Sequence, residues 1–151
     1  MRKIASRKAN PSDCEGVFHW RNDALTRAMS HSTDPVDWED HSNWFAASLQ
    51  NESRLLVICE EGETPVAVVR FDVSGDRALI SINLAPTMRG KGLATPCLTS
   101  ATAFFASEVS GVAVIDAEIK PENEASKRAF EAAGFSLGKE AGGVLHYAYV
   151  L

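Results

Sequence analysis
The 151-residue sequence has no apolar run near the roughly 20 residues that cross a bilayer, and its basic opening, MRKIASRKANPSD, lacks the apolar core of a secretory leader. A cytoplasmic protein with no membrane partner is the expectation. Cysteine is scarce. Cys14, Cys59 and Cys97 are odd in number and widely spaced, which argues against a disulfide framework or a zinc cluster. Each lies within an apolar pattern, where a free thiol serves as a small buried hydrophobe, and no metal is expected. Positive charge is in deficit too: 15 Lys and Arg against 20 Asp and Glu leave a net charge of −5. That argues against general nucleic-acid binding, which relies on a basic surface, and no nucleic-acid partner is expected. Repeats, low-complexity tracts and linkers are missing, so residues 1–151 read as a single domain.

What the chain does have is LAPTMRGKGLA, Leu84 to Ala94, where an apolar strand ends, a proline turns the chain and a basic, glycine-spaced loop opens a helix. Amides at a helix start have no intrahelical acceptor, and the helix dipole adds partial positive charge there. Gly90 and Gly92 let a phosphate approach the backbone, and Arg89 and Lys91 bring charge. Taken alone, Arg-Gly-Lys-Gly reads equally as a solvated turn. It is not a Walker loop, because no Gly-Lys-Ser/Thr follows the spacer, and it lacks the third glycine of a dinucleotide fingerprint.

Around this loop the spacing predicts a first strand over 2–8 and a helix over 11–20, opened by Asn10-Pro11-Ser12-Asp13. Trp20-Arg21-Asn22-Asp23 then interrupts the pattern before a short segment, Ala24 to Met29, and a polar loop, Ser30 to Pro35. A second amphipathic helix covers about Asp37 to Gln50, with Trp38, Phe45 and Leu49 on its core stripe and His41 and Trp44 on an adjacent one. LLVICEE, PVAVVRFDV and RALISINLA alternate as three strands of an antiparallel meander. A helix from about Gly90 to Glu108 leads to the buried-type strand VAVIDAEI, which a crossover of this kind places parallel to 78–84. Asn123 opens another helix, Gly134 closes it, and the chain ends in a hairpin around Gly142-Gly143.

This order of elements resembles the GCN5-related N-acetyltransferases. LAPTMRGKGLATPCL is similar to that family's acetyl-coenzyme A motif, an apolar strand, a proline and an Arg/Gln-x-x-Gly-x-Gly/Ala element at Arg89, Gly92 and Ala94. AEIKPENEASKRAFEAAGF is similar to its second signature, with Asn123, a small residue at 126, an aromatic at 130 and Gly134-Phe135. The resemblance implies an α+β fold: a mixed, mostly antiparallel sheet with parallel, splayed fourth and fifth strands and helices on both faces. It implies acetyl-CoA as co-substrate, held by Leu84, Ala85, the loop Arg89, Gly90, Lys91, Gly92, Leu93 and Ala94, and by Asn123, Ser126 and Phe130. It implies direct attack by a primary amine, without a metal, and is compatible with a homodimer through the exposed edges of the C-terminal hairpin.

For proton removal, Glu118 matches a position where family members carry a glutamate base; the alternative is a strand-end carboxylate paired at the surface. The family's acid tyrosine is replaced by Phe130, so Tyr147 is the candidate substitute, against a purely structural role. His41 reads as either a base or a solvated-face residue. Trp20, Arg21, Asn22, His41, Trp44 and Arg70 form the expected acceptor pocket, since aromatic, arginine and amide groups can stack on a ring and bind phosphate or carboxylate. Trp-Arg-Asn and His-x-x-Trp look like acetyltransferases acting on nucleotide-linked amino sugars, and similar residues occur in ribosomal-protein-type enzymes. Three functions stay open: small-amine acetylation, with an amino sugar or its nucleotide derivative leading; protein N-terminal acetylation; and a non-catalytic acyl-CoA-binding domain.

Overall fold
The computed structural model describes residues 3–151. Strand β1 (Ile4–Lys8) is followed by a single 3-10 turn and then by α1 (Cys14–Asn22), α2 (Ala24–Met29) and α3 (Trp38–Gln50). The meander is β2 (Arg54–Glu61), β3 (Thr64–Ser74) and β4 (Arg77–Leu84). Helix α4 (Ala94–Glu108) leads to β5 (Val114–Ile119), α5 (Glu124–Ala132) and the hairpin β6 (Ser136–Ala141) and β7 (Val144–Val150). Among the described residues, seven strands join one sheet in the order β1-β2-β3-β4-β5-β7-β6. Only β4 and β5 run parallel, as a strand–helix–strand crossover requires.

The alternation of β2, β3 and β4 divides the sheet into two differently covered faces. Leu55, Val57, Val69, Phe71 and Ile80 turn to α4 and α5, where Phe71 stacks on Phe105 with ring centroids 4.4 Å apart. Each such fully buried side chain contributes about 1.5–3 kcal/mol relative to exposure. On the other face, Leu56, Ile58 and Val68 meet Val17 of α1 and Phe45 of α3. Those helices cover mainly β2 and β3. Helix α1 also reaches β4, and over the start of β4 and over β5, β7 and β6 the same face lies open, as a groove of about 630 Å³ that includes Arg77, Asp116, Glu118, Lys139 and His146.

Several expected boundaries move. Helix α1 runs through Trp20 and Arg21 to Asn22, because only Asp23 leaves helical geometry (φ −58°, ψ 136°). Asp23 then caps α2, accepting from the amides of Leu25 and Thr26, so the short segment is a helix. Helix α4 starts four residues later than the periodicity places it, since Gly90 and Gly92 adopt φ of 73° and 71° and belong to the loop. Trp38 is 48% exposed at the start of α3, edge-on to Phe18, rather than in the core. The expected start of the first strand at residue 2 lies outside the described residues.

Candidate active site
The β4–β5 ladder covers only Arg77–Ile80 against Val114–Ala117. Strand β4 nevertheless continues to Leu84 along β3, and β5 continues to Ile119 along β7, so the two parallel strands part in mid-sheet. Successive residues of a paired strand turn their N–H and C=O to opposite edges. The Ala85 N–H donates to the Val66 carbonyl at 2.8 Å, so Asn83 faces β3 while Ile82 and Leu84 offer their backbone groups to the gap. Ala85 itself is corrected as a binding residue: its amide is taken by Val66 and its carbonyl accepts from Met88. Ile82, with its backbone turned to the gap, is the position that the phase of the ladder brings forward instead.

Beyond β4 the chain turns through Pro86–Met88 into the glycine loop. Among the described residues, no protein oxygen accepts from the amides of Gly90, Lys91, Gly92 or Leu93. A Cβ built on Gly90 or Gly92 meets nothing within 4 Å, so the space above the loop is open to a ligand. Leu93 is buried in the core below and its carbonyl starts the α4 ladder, which leaves only its N–H for binding. Ala94 forms the first turn of α4, and Pro96 fits there because first-turn amides need no acceptor. This arrangement fits a pyrophosphate at the helix start.

Arg89 does not join that cradle. Its guanidinium pairs with Asp23 and donates to Thr26 Oγ1 at 2.8 Å, both at the start of α2. Arg89 in turn holds the Asp23 carboxyl below its usual range. At the other end of α2, Lys120 Nζ, just beyond β5, donates to the Ala28 carbonyl at 3.0 Å. Helix α2 is therefore tied to both sides of the gap. Of the two basic side chains expected at the loop, Lys91 alone is exposed beside it.

Glu118 stands where the strands part, on the face away from α4 and α5. Its carboxylate lies 3.2 Å from His31 Nε2, in the loop after α2, and His146 of β7 is its cross-strand neighbour. The sequence offers His31 on the acceptor side, but no local spacing connects it with Glu118.

The acceptor-side residues divide sharply. His41 is fully buried, its Nε2–H donating to the Cys14 carbonyl at 2.9 Å and its Nδ1 accepting from Arg21 at 3.0 Å. Burial lowers its pKa below 6.5 and Arg21 adds to the effect. With both nitrogens engaged it is neither a solvated residue nor a free base. Asn22 is also corrected: its amide closes a two-bond clamp on the backbone of Val36, at 2.8 and 2.9 Å, and holds the loop before α3. Trp20 packs half-buried on the second core cluster. Trp44 lies half-buried beneath two guanidiniums, with Arg21 at 4.5 Å and Arg54 at 5.6 Å from its ring centre. Arg70 completes this group, its Nε buried 3.2 Å from Asp72 but without a hydrogen bond. Burial lowers the pKa of both Arg21 and Arg70, and the two repel each other or a further arginine.

On the far face, Tyr147 is 2% exposed and its hydroxyl donates to Glu131 of α5 at 2.9 Å. Burial, then Glu131, raises its pKa above 10. It is thus committed beneath α5 and does not enter the gap as a proton donor. Phe130 is likewise a core residue, edge-on to Phe135 with centroids 5.0 Å apart, and offers no surface to a cofactor. Asn123 caps α5 through the Ser126 amide at 3.1 Å; Ser126 stays partly exposed.

Comparison with known proteins agrees with this geometry. A family model described as an acetyltransferase (GNAT) domain matches residues 4–136, and the chain belongs to that family of N-acetyltransferases. No curated protein sequence matches the chain significantly. Among solved structures, AAC(6')-Ib in complex with ribostamycin and coenzyme A is similar, with a TM-score of 0.85, 17% identity, and 98% of this chain and 93% of that one covered. Spermidine N-acetyltransferase from Vibrio cholerae, in complex with CoA and spermine, has a TM-score of 0.85 at 14% identity over 98% and 95% of the two chains. RimL, a ribosomal L7/L12 alpha-N-protein acetyltransferase in complex with coenzyme A, has a TM-score of 0.83 at 15% identity over 99% and 94%.

Proposed function
We propose that this chain transfers the acetyl group of acetyl-CoA to a primary amine of a small molecule, by direct attack in the gap between β4 and β5. One observation carries the reading. A continuous track leads from the unpaired amides of Gly90–Leu93, along the gap-facing backbone of Ile82 and Leu84, to the carboxylate of Glu118. Acetyl-CoA supplies a thioester carbonyl to the amine. The glycine-loop amides and the α4 start hold the pyrophosphate, with Lys91 as a screening charge, and Asn123 and Ser126 border the cofactor from the α5 side. The Ile82 and Leu84 backbone aligns the pantetheine arm as an added strand would.

Glu118 accepts the proton of the incoming amine, directly or through water, and His31 orients it. The departing thiolate leaves without a tyrosine. A thiol is far more acidic than an alcohol or an amine, so the thiolate is an adequate leaving group without a dedicated acid. Trp44, Arg21 and Arg70 border the acceptor, and this cluster of an aromatic ring and guanidiniums, suited to stacking on a ring and binding its oxygens, favours a small molecule. Calorimetry with acetyl-CoA and thiol release over an amine panel test the reading: micromolar cofactor binding with turnover of small amines is expected, whereas selective turnover of peptide N-termini contradicts it.

A further inference from the structure
In a chain of net charge −5, three guanidiniums converge where α1, α3 and β3 meet. Arg54 and Arg70 share a single carboxylate, Asp72. Arg21 has none among the described residues: its partners are the neutral His41 imidazole, which accepts from it at 3.0 Å, and the face of Trp44. Arg70 keeps a buried Nε–H without a hydrogen bond. Three guanidiniums against one carboxylate leave two positive charges without a partnering anion in a half-buried cluster, an excess that a bound oxyanion would offset.

Their position relates this excess to the gap. Arg70 pairs with Ser81 of β4. The parallel register, Ile80 with Ala117, places Ser81 level with Glu118, which pairs with His146. Arg70, Ser81 and Glu118 therefore share one row of the sheet, running from the helix-covered β3 across the parted strands, with the cation cluster and the carboxylate more than two paired-strand spacings apart, about 10 Å or more. Ser81 between them is exposed and uncharged.

We propose that the acceptor carries an anionic oxygen group, a carboxylate or a phosphate, which Arg21 and Arg70 bind while its amine meets Glu118. This rests on the acetyl-transfer reading above and narrows its substrate class. Arg21 is held for the purpose: Trp44 supports the flat face of its guanidinium and His41 takes one N–H, leaving the remaining donors for a planar or tetrahedral oxyanion. The row length sets a molecule of sugar-phosphate or extended amino-acid size, longer than an α-amino acid. A polycation such as spermine meets repulsion here.

Matched acceptors test the assignment: glucosamine against glucosamine 6-phosphate, hexylamine against 6-aminohexanoate, and spermine, each in a thiol-release assay with saturating acetyl-CoA. The anionic member of a pair is expected to show kcat/KM at least about 10-fold above its uncharged partner, in line with a charge-assisted hydrogen bond, with spermine lowest. The phosphate and carboxylate arms identify which oxyanion is preferred. Arg21→Gln and Arg70→Gln each bring the ratio toward one, through KM rather than kcat. Arg21 has no carboxylate partner to strand, so R21Q carries the test if R70Q does not fold. Preference for uncharged or polycationic amines, or a ratio that R21Q leaves unchanged, overturns the subsite. Calorimetry with acetyl-CoA separates the levels: turnover without anionic preference removes only the subsite, while absence of cofactor binding removes the acetyl-transfer reading beneath it.

Discussion
Glu118 of β5 and His31 of the loop after α2 meet at 3.2 Å, joining the splayed sheet to the helical acceptor side. If Glu118 takes the amine proton, Glu118→Gln lowers kcat by about 10²-fold or more at neutral pH while acetyl-CoA affinity holds, the size expected for a lost general base. His31→Gln costs less, about 3–10-fold, and alters the pH–rate profile, because it orients the base and does not replace it. A pH–rate profile of E118Q that overlays the parent shows that the amine reacts without this carboxylate.

Gly92→Val tests the pyrophosphate cradle. At φ 71° a β-branched residue is strained by about 1–2 kcal/mol, and its side chain enters the space now open above the loop. The variant should stay folded by circular dichroism, melt a few degrees lower and lose acetyl-CoA affinity by about 100-fold or more in calorimetry. Affinity within a few-fold of the parent is incompatible with the cradle.

The tie between Asp23 and Arg89 yields a different signature. Asp23→Ala removes the α2 cap, about 1 kcal/mol, together with the link to the glycine loop. Arg89→Met leaves the cap intact and removes the link alone. Both variants should raise KM for acceptor and acetyl-CoA together, since α2 touches the two sides of the gap, and only D23A should lower Tm appreciably. Separate KM effects in steady-state assays would show that α2 does not couple them.

Much of this was legible in the sequence because it depends on local pattern. The meander, the crossover helix, the parallel strand and the glycine loop follow from alternation, helical spacing and Gly90 and Gly92. The chain's membership of the N-acetyltransferase family followed from two motifs. What escaped depends on contacts distant in sequence. His41 and Trp44 share a helical stripe, yet His41 is sealed by Cys14 and Arg21, while Trp44 serves as a support for guanidiniums. Tyr147 alternates correctly for its strand but lies on the opposite face from Glu118, because neighbouring register positions point to opposite sides. Arg89 sits inside the motif and points out of it, toward a carboxylate that no spacing rule connects to it.

His41 also predicts a pH dependence. Its folded pKa lies below 6.5, held down by burial, so well above pH 6.5 the ring is neutral in both folded and unfolded chains and costs nothing. As pH falls below that value the unfolded chain binds a proton that the folded chain resists, and stability declines until the folded pKa is passed. Tm measured from pH 8 to pH 5 should fall more steeply for the parent than for His41→Gln, which keeps a donor and an acceptor without titrating. Parallel curves would assign the acid sensitivity to other groups.

The central claim is acetyl transfer in the gap between β4 and β5, and thiol release from acetyl-CoA in the presence of primary amines tests it most directly. The account predicts amine-dependent release, stoichiometric with N-acetylated product by mass spectrometry, that Gly92→Val abolishes and Glu118→Gln strongly reduces. Cofactor binding with no amine-dependent release, across uncharged, anionic and polycationic acceptors and peptide N-termini, would contradict it.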